Sequence, residues 1–344
     1  MKTSKKITTA AALLAVGLVA SGCAGSGGTG DDGGQITLRV AGQNNEEHPN
    51  TTELEAMAET VEAETDGRVT MEIFPNNQLG DYTLMYEEIS QGTVDMGLIS
   101  TPSHLDSRLE IQFLPYLFTT YEDVHEHFTL DSVLGEAMRE IHSEQSIELL
   151  GFFAEGFGGI ATNQPATDPA DPTVGKDVVV RVPEIPITAQ NTQDIGYNTV
   201  SMPYADVYQG LQTGAVDGWT GGHPLVNYLQ FEDVINHYYQ YNNNFEATHV
   251  LINQDTFEGL DEGDQQVLTD AGLQLTENSY TIAEDMEIEY RDKLAEEGIE
   301  VVEFSDEELE GLAEYSRETS WPTLDDPGQI ELLEEVTDSM GVDY

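Results

Sequence analysis

From Ile36 onward the chain switches between two hydrophobic periods. The runs "ITLRVAG" (36–42) and "RVTMEIFP" (68–75) are short and apolar, as buried strands are, while "TTELEAMAETVEAET" (51–65) repeats its apolar residues at helical spacing and ends near Gly67. Next, "DYTLMYEEIS" (81–90) predicts a helix, Gly92 suits the left-handed conformation that closes one, and "VDMGLIS" (94–100) predicts a buried strand. The same phrase recurs later. "YADVYQGLQT" (204–213) is again helical, Gly214 is the closing glycine, and "AVDGW" (215–219) follows as a strand. The two glycines stand 122 residues apart, far beyond any solenoid repeat, which suits two similar α/β lobes; a chance recurrence of glycine after a helix is the alternative.

Near the C-terminal end, residues 261–298 contain no proline, and only Gly263, Gly272 and Gly298 interrupt them. Val267, Leu268, Ala271, Leu275, Ile282, Met286, Tyr290 and Leu294 form an apolar stripe at spacings near three and four, with acids on the other faces. A helix of about 35 residues, roughly 50 Å long, is predicted, enough to cross both lobes.

Length supports the same division, since 344 residues exceed what one hydrophobic core usually serves. Charge adds an environment. The chain carries 12 Lys and Arg against 65 Asp and Glu, a formal charge of −53. Nucleic acid is excluded as a partner by that sign. Self-repulsion of this size opposes compaction unless salt screens it, and the screening length falls to about 3 Å near 1 M, so a saline medium is expected. Disorder is disfavoured by 39% hydrophobic residues, 15 Tyr and 11 Phe.

The first 23 residues read as an export signal. Lys2, Lys5 and Lys6 precede the apolar run Ala11–Ala20, and Ser21, Gly22 and Cys23 resemble a lipoprotein cleavage box, with Ala20 where leucine is usual. The run is short for a membrane span. Cys23 is the only cysteine, so no internal disulfide is possible and lipidation is its expected role. Residues 24–35, rich in Gly, Ser and Asp, predict a flexible tether.

In order along the chain, "ITLRVAGQNNEEHPN", "ETDGRVTMEIFPNNQLGD", "ISQGTVDMGLIS", "GKDVVVRVPE", "VSMPYADVYQGLQTGAVDG" and "THVLINQDTFEGLDEGDQQVL" resemble the signatures of solute-binding proteins of TRAP transporters, the tripartite ATP-independent uptake systems. The resemblance covers nearly everything after Ile36. It implies an α/β, two-lobed periplasmic-binding-protein-like fold with a closing cleft and a long helix across both lobes. Lobe I is expected over 36–158 and 247–286, and lobe II over 159–246 and 287–344. The implied partner is a TRAP membrane permease, the implied cargo a small carboxylate, and the implied place extracytoplasmic, with a lipid anchor to the membrane.

Arg181 carries the expected chemistry. It ends the apolar run "VVVRVP" before Pro183, and in open α/β sheets ligands gather beyond the carboxyl ends of strands. Without the three signal lysines only nine basic residues remain, so a cation here is conspicuous. The resemblance implies that its guanidinium grips the solute carboxylate through parallel hydrogen bonds; an ion pair with Glu184 is the structural alternative. By the same resemblance Tyr204 packs on the ligand, and Gln43, Tyr82 and Ser100 line the pocket.

Two departures from the family pattern stand out. Where many relatives have a second arginine this chain has Gly158, and where they continue with an amide it reads "DGWTGGHP", with Gly221 in place of the amide and Trp219 added. Trp219 is placed either against the solute or in the core behind it. A monocarboxylate with an apolar or zwitterionic remainder is the expected solute.

Catalysis is not expected. His125 and His127 in "VHEHF" are two apart, on different helix faces, unlike a zinc-binding pair, and no nucleophile elbow, phosphate loop or cysteine cluster occurs. No cofactor or metal is called for. An ATP-driven (ABC) importer's binding protein shares the anchor and the two lobes but not the long helix with the "RVP" arginine. A purely structural surface lipoprotein would need neither feature.

Overall fold

Two sheets organise the chain in the computed structural model, which describes residues 35–342. The export segment, Cys23 and nearly all of the tether lie outside the described residues. The strands are β1 (Ile36–Gly42), β2 (Val69–Phe74), β3 (Met96–Ile99), β4 (Ile147–Phe157), β5 (Gly159–Thr162), β6 (Val179–Val182), β7 (Asn198–Ser201), β8 (Gly218–Gly222), β9 (His237–Gln240), β10 (Phe245–Asn253) and β11 (Glu300–Glu303). The first sheet runs β2-β1-β3-β10-β4 and the second β11-β9-β5-β8-β6-β7. The chain crosses from one to the other between β4 and β5 and returns between β9 and β10.

Each sheet contains the same parallel core. β1 lies between β2 and β3, and β6 lies between β7 and β8, with an antiparallel strand next in line. The repeated sequence phrase now has a physical reason. Gly92 and Gly214 both adopt left-handed φ, +70° and +72°, at the ends of the helices Tyr82–Ser90 and Val207–Thr213. The aspartate that follows each then binds the neighbouring strand: Asp95 Oδ2 accepts from Arg39 N at 2.8 Å, and Asp217 Oδ2 accepts from Val179 N at 3.0 Å. In each sheet a strand N–H is thereby satisfied by the short acid that follows the helix.

The long helix is continuous over Glu262–Glu296, 35 residues. Its N-terminal half covers β4, an edge strand whose outward N–H groups need partners. Thr276 Oγ1 accepts from Phe152 N and Ser279 Oγ from Ala154 N, both at 2.9 Å. Its C-terminal end reaches the second sheet, where Leu294 joins the core and Arg291 pairs with Glu303 of β11 at 3.1 Å. Gly272 does not interrupt this helix but lets it approach: a Cβ there would lie 2.6 Å from Leu150 O, and one at Gly151 would lie 2.5 Å from Gly272 O. Gly272→Val is therefore expected to lower the melting temperature by several degrees, a cost of about 2 kcal/mol or more, because two backbones must separate. Gly311→Ala, in the helix Asp306–Thr319 with open space around it, is expected to leave it unchanged or raise it.

The last helix, Pro327–Met340, returns to the first sheet's side, where Leu332, Leu333 and Val336 join the core beside Leu109, Leu134 and Met138.

Candidate ligand-binding site

Where β1, β3, β4, β6, β8 and β10 converge, one cavity is lined from both sheets. The space open to the centre of a water-sized sphere is about 60 Å³, several times the ~10–15 Å³ that one water requires. A compact solute fits. All seven residues singled out in the sequence, Gln43, Tyr82, Ser100, Arg181, Tyr204, Trp219 and Gly221, line this cavity.

Arg181 is held in β6 with only 3% of its surface exposed. Its Nε donates to Met202 O at 2.8 Å, which fixes the plane of the guanidinium. The terminal nitrogens make no hydrogen bond or ion pair with any described residue, and Glu184 is exposed and unpaired with it. Burial pulls the Arg181 pKa down, against the opposing fields of Tyr82, Tyr204, Asp81 and Glu246. A guanidinium still stays charged, so a buried cation faces the cavity without a counter-ion.

The aromatic wall is rigid. Trp219 Nε1 donates to Asn227 Oδ1 at 3.0 Å, and its ring lies 4.6 Å from Phe231 and 6.1 Å from Tyr204. Trp219 is thus both core and cavity wall, since it belongs to the hydrophobic cluster of the second sheet and to the cavity lining. The Tyr204 hydroxyl donates to Gln230 Oε1 at 2.9 Å, and burial raises its pKa. Burial likewise pushes the Tyr82 hydroxyl up to about 12, so it stays a neutral donor. Gln43 and Ser100 are tied together: Gln43 Oε1 accepts from Ser100 N at 2.8 Å and its Nε2 donates to Ser100 Oγ at 3.3 Å. At Gly158 a Cβ would lie 2.6 Å from Asn244 Oδ1, so a larger residue there requires the Asn244 side chain to move.

The sequence reading missed the acids. Glu155 in β4 and Glu246 in β10 both line the cavity. Glu246 is the one acid of β10 and Glu155 shares β4 with Glu148, the same kind of signal that drew attention to Arg181, but one acid among 65 is not conspicuous. Glu155 Oε1 accepts from Asn44 (3.1 Å), Asn50 (2.9 Å) and Thr248 (3.1 Å), while Oε2 faces His48 Nε2 at 3.5 Å and His223 Nε2 at 3.4 Å. Burial pushes this carboxyl up, yet the histidines and hydrogen-bond donors around it outweigh burial and hold it below the usual range. For Glu246 burial wins. With Glu155 nearby adding repulsion, and Asn244 and Arg181 only partly offsetting it, its pKa rises to about 8.

His48, Glu155 and His223 bring one ligand atom each to within 4.8 Å of one another, a spacing that would suit a metal ion. The tautomer of His48 argues otherwise. Its Nδ1 accepts from Asn50 N at 3.1 Å as the cap of the helix Pro49–Glu64, so the ring proton sits on Nε2 and points at Glu155. A nitrogen bearing a proton has no lone pair for a metal. Burial lowers the His48 pKa to about 4, so the ring is a neutral donor.

Comparison with known proteins agrees with this architecture. The model of the bacterial extracellular solute-binding proteins, family 7 (DctP), matches residues 40–320. The chain belongs to this family, the solute-binding proteins of TRAP transporters, which are extracytoplasmic binding proteins and not enzymes. A solute-binding protein of Chromohalobacter salexigens is 25% identical over 268 residues, 75% of this chain and 76% of that one. The ectoine-binding periplasmic protein TeaA of Halomonas elongata is 27% identical over 244 residues, 70% and 68% of the two chains. Among solved structures, a TRAP periplasmic solute-binding protein from Desulfovibrio salexigens with bound orotic acid shares 19% identity, covers 89% of this chain and 99% of its own, and superposes with a TM-score of 0.80, a likeness of fold. The ABC-importer alternative finds no support among these matches.

Proposed function

We propose that this chain captures a small carboxylate between its two lobes and hands it to a TRAP permease, with Arg181 as the residue that grips the carboxylate. The observation that carries the reading is the Arg181 guanidinium itself, buried, oriented by Met202 O and without an acidic partner among the described residues. An isolated buried cation costs several kcal/mol, and an incoming carboxylate with two parallel hydrogen bonds offsets that cost. Tyr204 and Trp219 supply an apolar wall, and Tyr82, Gln43 and Ser100 supply polar edges from the first sheet. Gly221 completes the lining. Lobe I comprises 36–158 and 247–286, and lobe II 159–246 and 287–344, with the final helix reaching back over lobe I. Contacts from both lobes are complete only when the cleft is shut, so the solute favours closure.

Solute acids of this kind are bound by relatives' structures, orotic acid in one of them. A thermal-shift screen of small carboxylates and their uncharged amides tests the reading. A carboxylate should raise the melting temperature and its amide should not; equal stabilisation by the amides would sink the proposal.

Anchoring and environment belong to the same reading. Cys23 carries a lipid that holds the protein to the outer face of the membrane, and the charge of −53 adapts its surface to high salt. Cys23→Ser should move the protein from the membrane fraction to the soluble extracytoplasmic fraction, and an unchanged distribution would count against the anchor.

A further inference from the structure

The cavity holds a second, oppositely charged recognition point. We infer that Glu246, which lines the same cavity as Arg181 and Glu155, receives an N–H-bearing cationic group of the solute, so that the cargo is a compact zwitterion, an ammonium or amidinium carboxylate, rather than a plain acid. The inference rests on the carboxylate reading for the other end of the solute.

Three observations carry it. The first is the poor satisfaction of the Glu246 carboxyl, whose one hydrogen bond from a described residue is a long one, from Asn244 Nδ2 to Oε1 at 3.4 Å. Glu155, by contrast, accepts three hydrogen bonds on Oε1 and turns Oε2 toward the ring nitrogens of His48 and His223 at 3.5 and 3.4 Å. The second is the company Glu246 keeps. Thr220 Oγ1 and Asn244 Oδ1 are buried, belong to residues lining the same cavity and have no hydrogen-bond partner among the described residues, and the Thr220 and Asn244 residues are 0% and 5% exposed. Unpartnered oxygens beside a carboxyl call for N–H donors, and a quaternary ammonium has none to give. The third is Gly221. Its φ is +101°, and a Cβ built on it would lie 2.6 Å from Glu246 Oε1. The glycine that replaces the amide of many relatives therefore makes the room in which the acid sits.

The charge balance of the cavity follows. Glu246 is faced by Glu155 from β4, Arg181 from β6, Tyr204 from the segment after β7, His223 from the end of β8 and Tyr238 from β9. In the empty cavity burial and Glu155 keep Glu246 protonated up to about pH 8, which leaves Arg181 and Glu155 as one cation and one anion. A zwitterion brings one charge of each sign. Its cation displaces the proton of Glu246, whose O–H bond breaks as the proton leaves to solvent, and the resulting carboxylate pairs with the N–H group. Binding therefore releases close to one proton at neutral pH.

The sign of the pH dependence separates the two kinds of cargo. Loss of a proton on binding makes a zwitterion bind more tightly as pH rises toward about 8, with a change of about 25-fold from about pH 6.5 to about pH 8.5. A nitrogen-free acid shows a flat or reversed dependence, because ionised Glu246 repels it. The experiment is a calorimetric titration of the full folded protein with ectoine, proline and γ-aminobutyrate against cyclopentanecarboxylate and butyrate, at both pH values and in two buffers of different ionisation enthalpy. At least one zwitterion should bind with the rising affinity and the proton release, and Glu246→Gln should weaken it at least tenfold at the higher pH and flatten the profile. For the acids Glu246→Gln should remove any loss of affinity at the higher pH, whereas Arg181→Ala should remove binding of both kinds of solute. Binding by the acids alone, by none of the zwitterions, or by a zwitterion with a flat pH profile overturns the inference. Acid binding that still depends on Arg181 would in that event leave the carboxylate reading standing.

Discussion

Arg181→Ala is expected to weaken binding of the carboxylate cargo by about 10²–10³-fold, measured by calorimetry. Each charge-assisted hydrogen bond contributes about 1.5–3 kcal/mol, and two parallel bonds to one carboxylate, taken at the lower end of that range, account for roughly 3–4 kcal/mol, at about 1.4 kcal/mol per tenfold. Stability should respond in the other direction. The guanidinium is buried with a single backbone acceptor at Met202 and no counter-ion among the described residues, so its removal relieves a desolvated charge. Arg181→Met, which keeps most of the volume, is accordingly expected to melt at or above the temperature of the parent protein while binding no better than Arg181→Ala. A residue serving only the fold would show the opposite pair of results. Unchanged affinity in both variants, with the circular dichroism intact, would remove Arg181 from the site.

Glu155→Ala should produce the largest loss of stability. The substitution removes the acceptor of Asn44, Asn50 and Thr248 and the carboxylate that faces the His48 ring, all inside the protein. Breaking a buried, charged network of this kind costs about 3–5 kcal/mol, a melting-temperature drop on the order of 10 °C. The cost depends on pH with a definite sign. Since the folded protein holds Glu155 below the usual carboxylate range, its contribution is fully present above about pH 4.5 and is lost as pH falls through the folded value. His48 weakens the fold in acid in parent and variant alike: burial depresses its pKa from 6.5 to about 4, so the neutral ring's contribution is complete above about pH 6.5 and is lost as pH falls toward 4. The difference between parent and variant should thus be largest near neutral pH and shrink in acid. A melting temperature within a degree or two of the parent at neutral pH would show that Glu155 is dispensable.

Arg181 and Glu246 show how differently two charges can read in one sequence. Both sit in apolar strands that line the cavity, yet the arginine stands out because basic residues are scarce here, and the glutamate is lost among 65 acids. Glycine is read with the same asymmetry. Gly92 and Gly214 are legible because a helix must end before a strand begins, a local requirement. Gly272 reads as a break in a helix, whereas it is the point where helix and edge strand touch, a requirement that exists only once β4 lies beside it. His48 followed by Pro49 is likewise an ordinary helix start by sequence, and only the fold sets its ring against Glu155 and His223.

What the chain's order of residues determined unaided is therefore local and periodic: the strands and helices, the 35-residue helix, the paired helix–glycine–aspartate phrases, the family, and the residues Gln43, Tyr82, Ser100, Arg181, Tyr204, Trp219 and Gly221 that meet at one cavity. Tertiary structure alone decided the electrostatics of that cavity. Whether a carboxyl is ionised depends on what desolvates it and which donors reach it, and most of those neighbours come from distant parts of the chain, Asn44 and Asn50 on one side and Thr248 on the other. Glu155 gains five such neighbours and keeps its charge, while Glu246 gains one weak donor and a repelling acid and holds its proton.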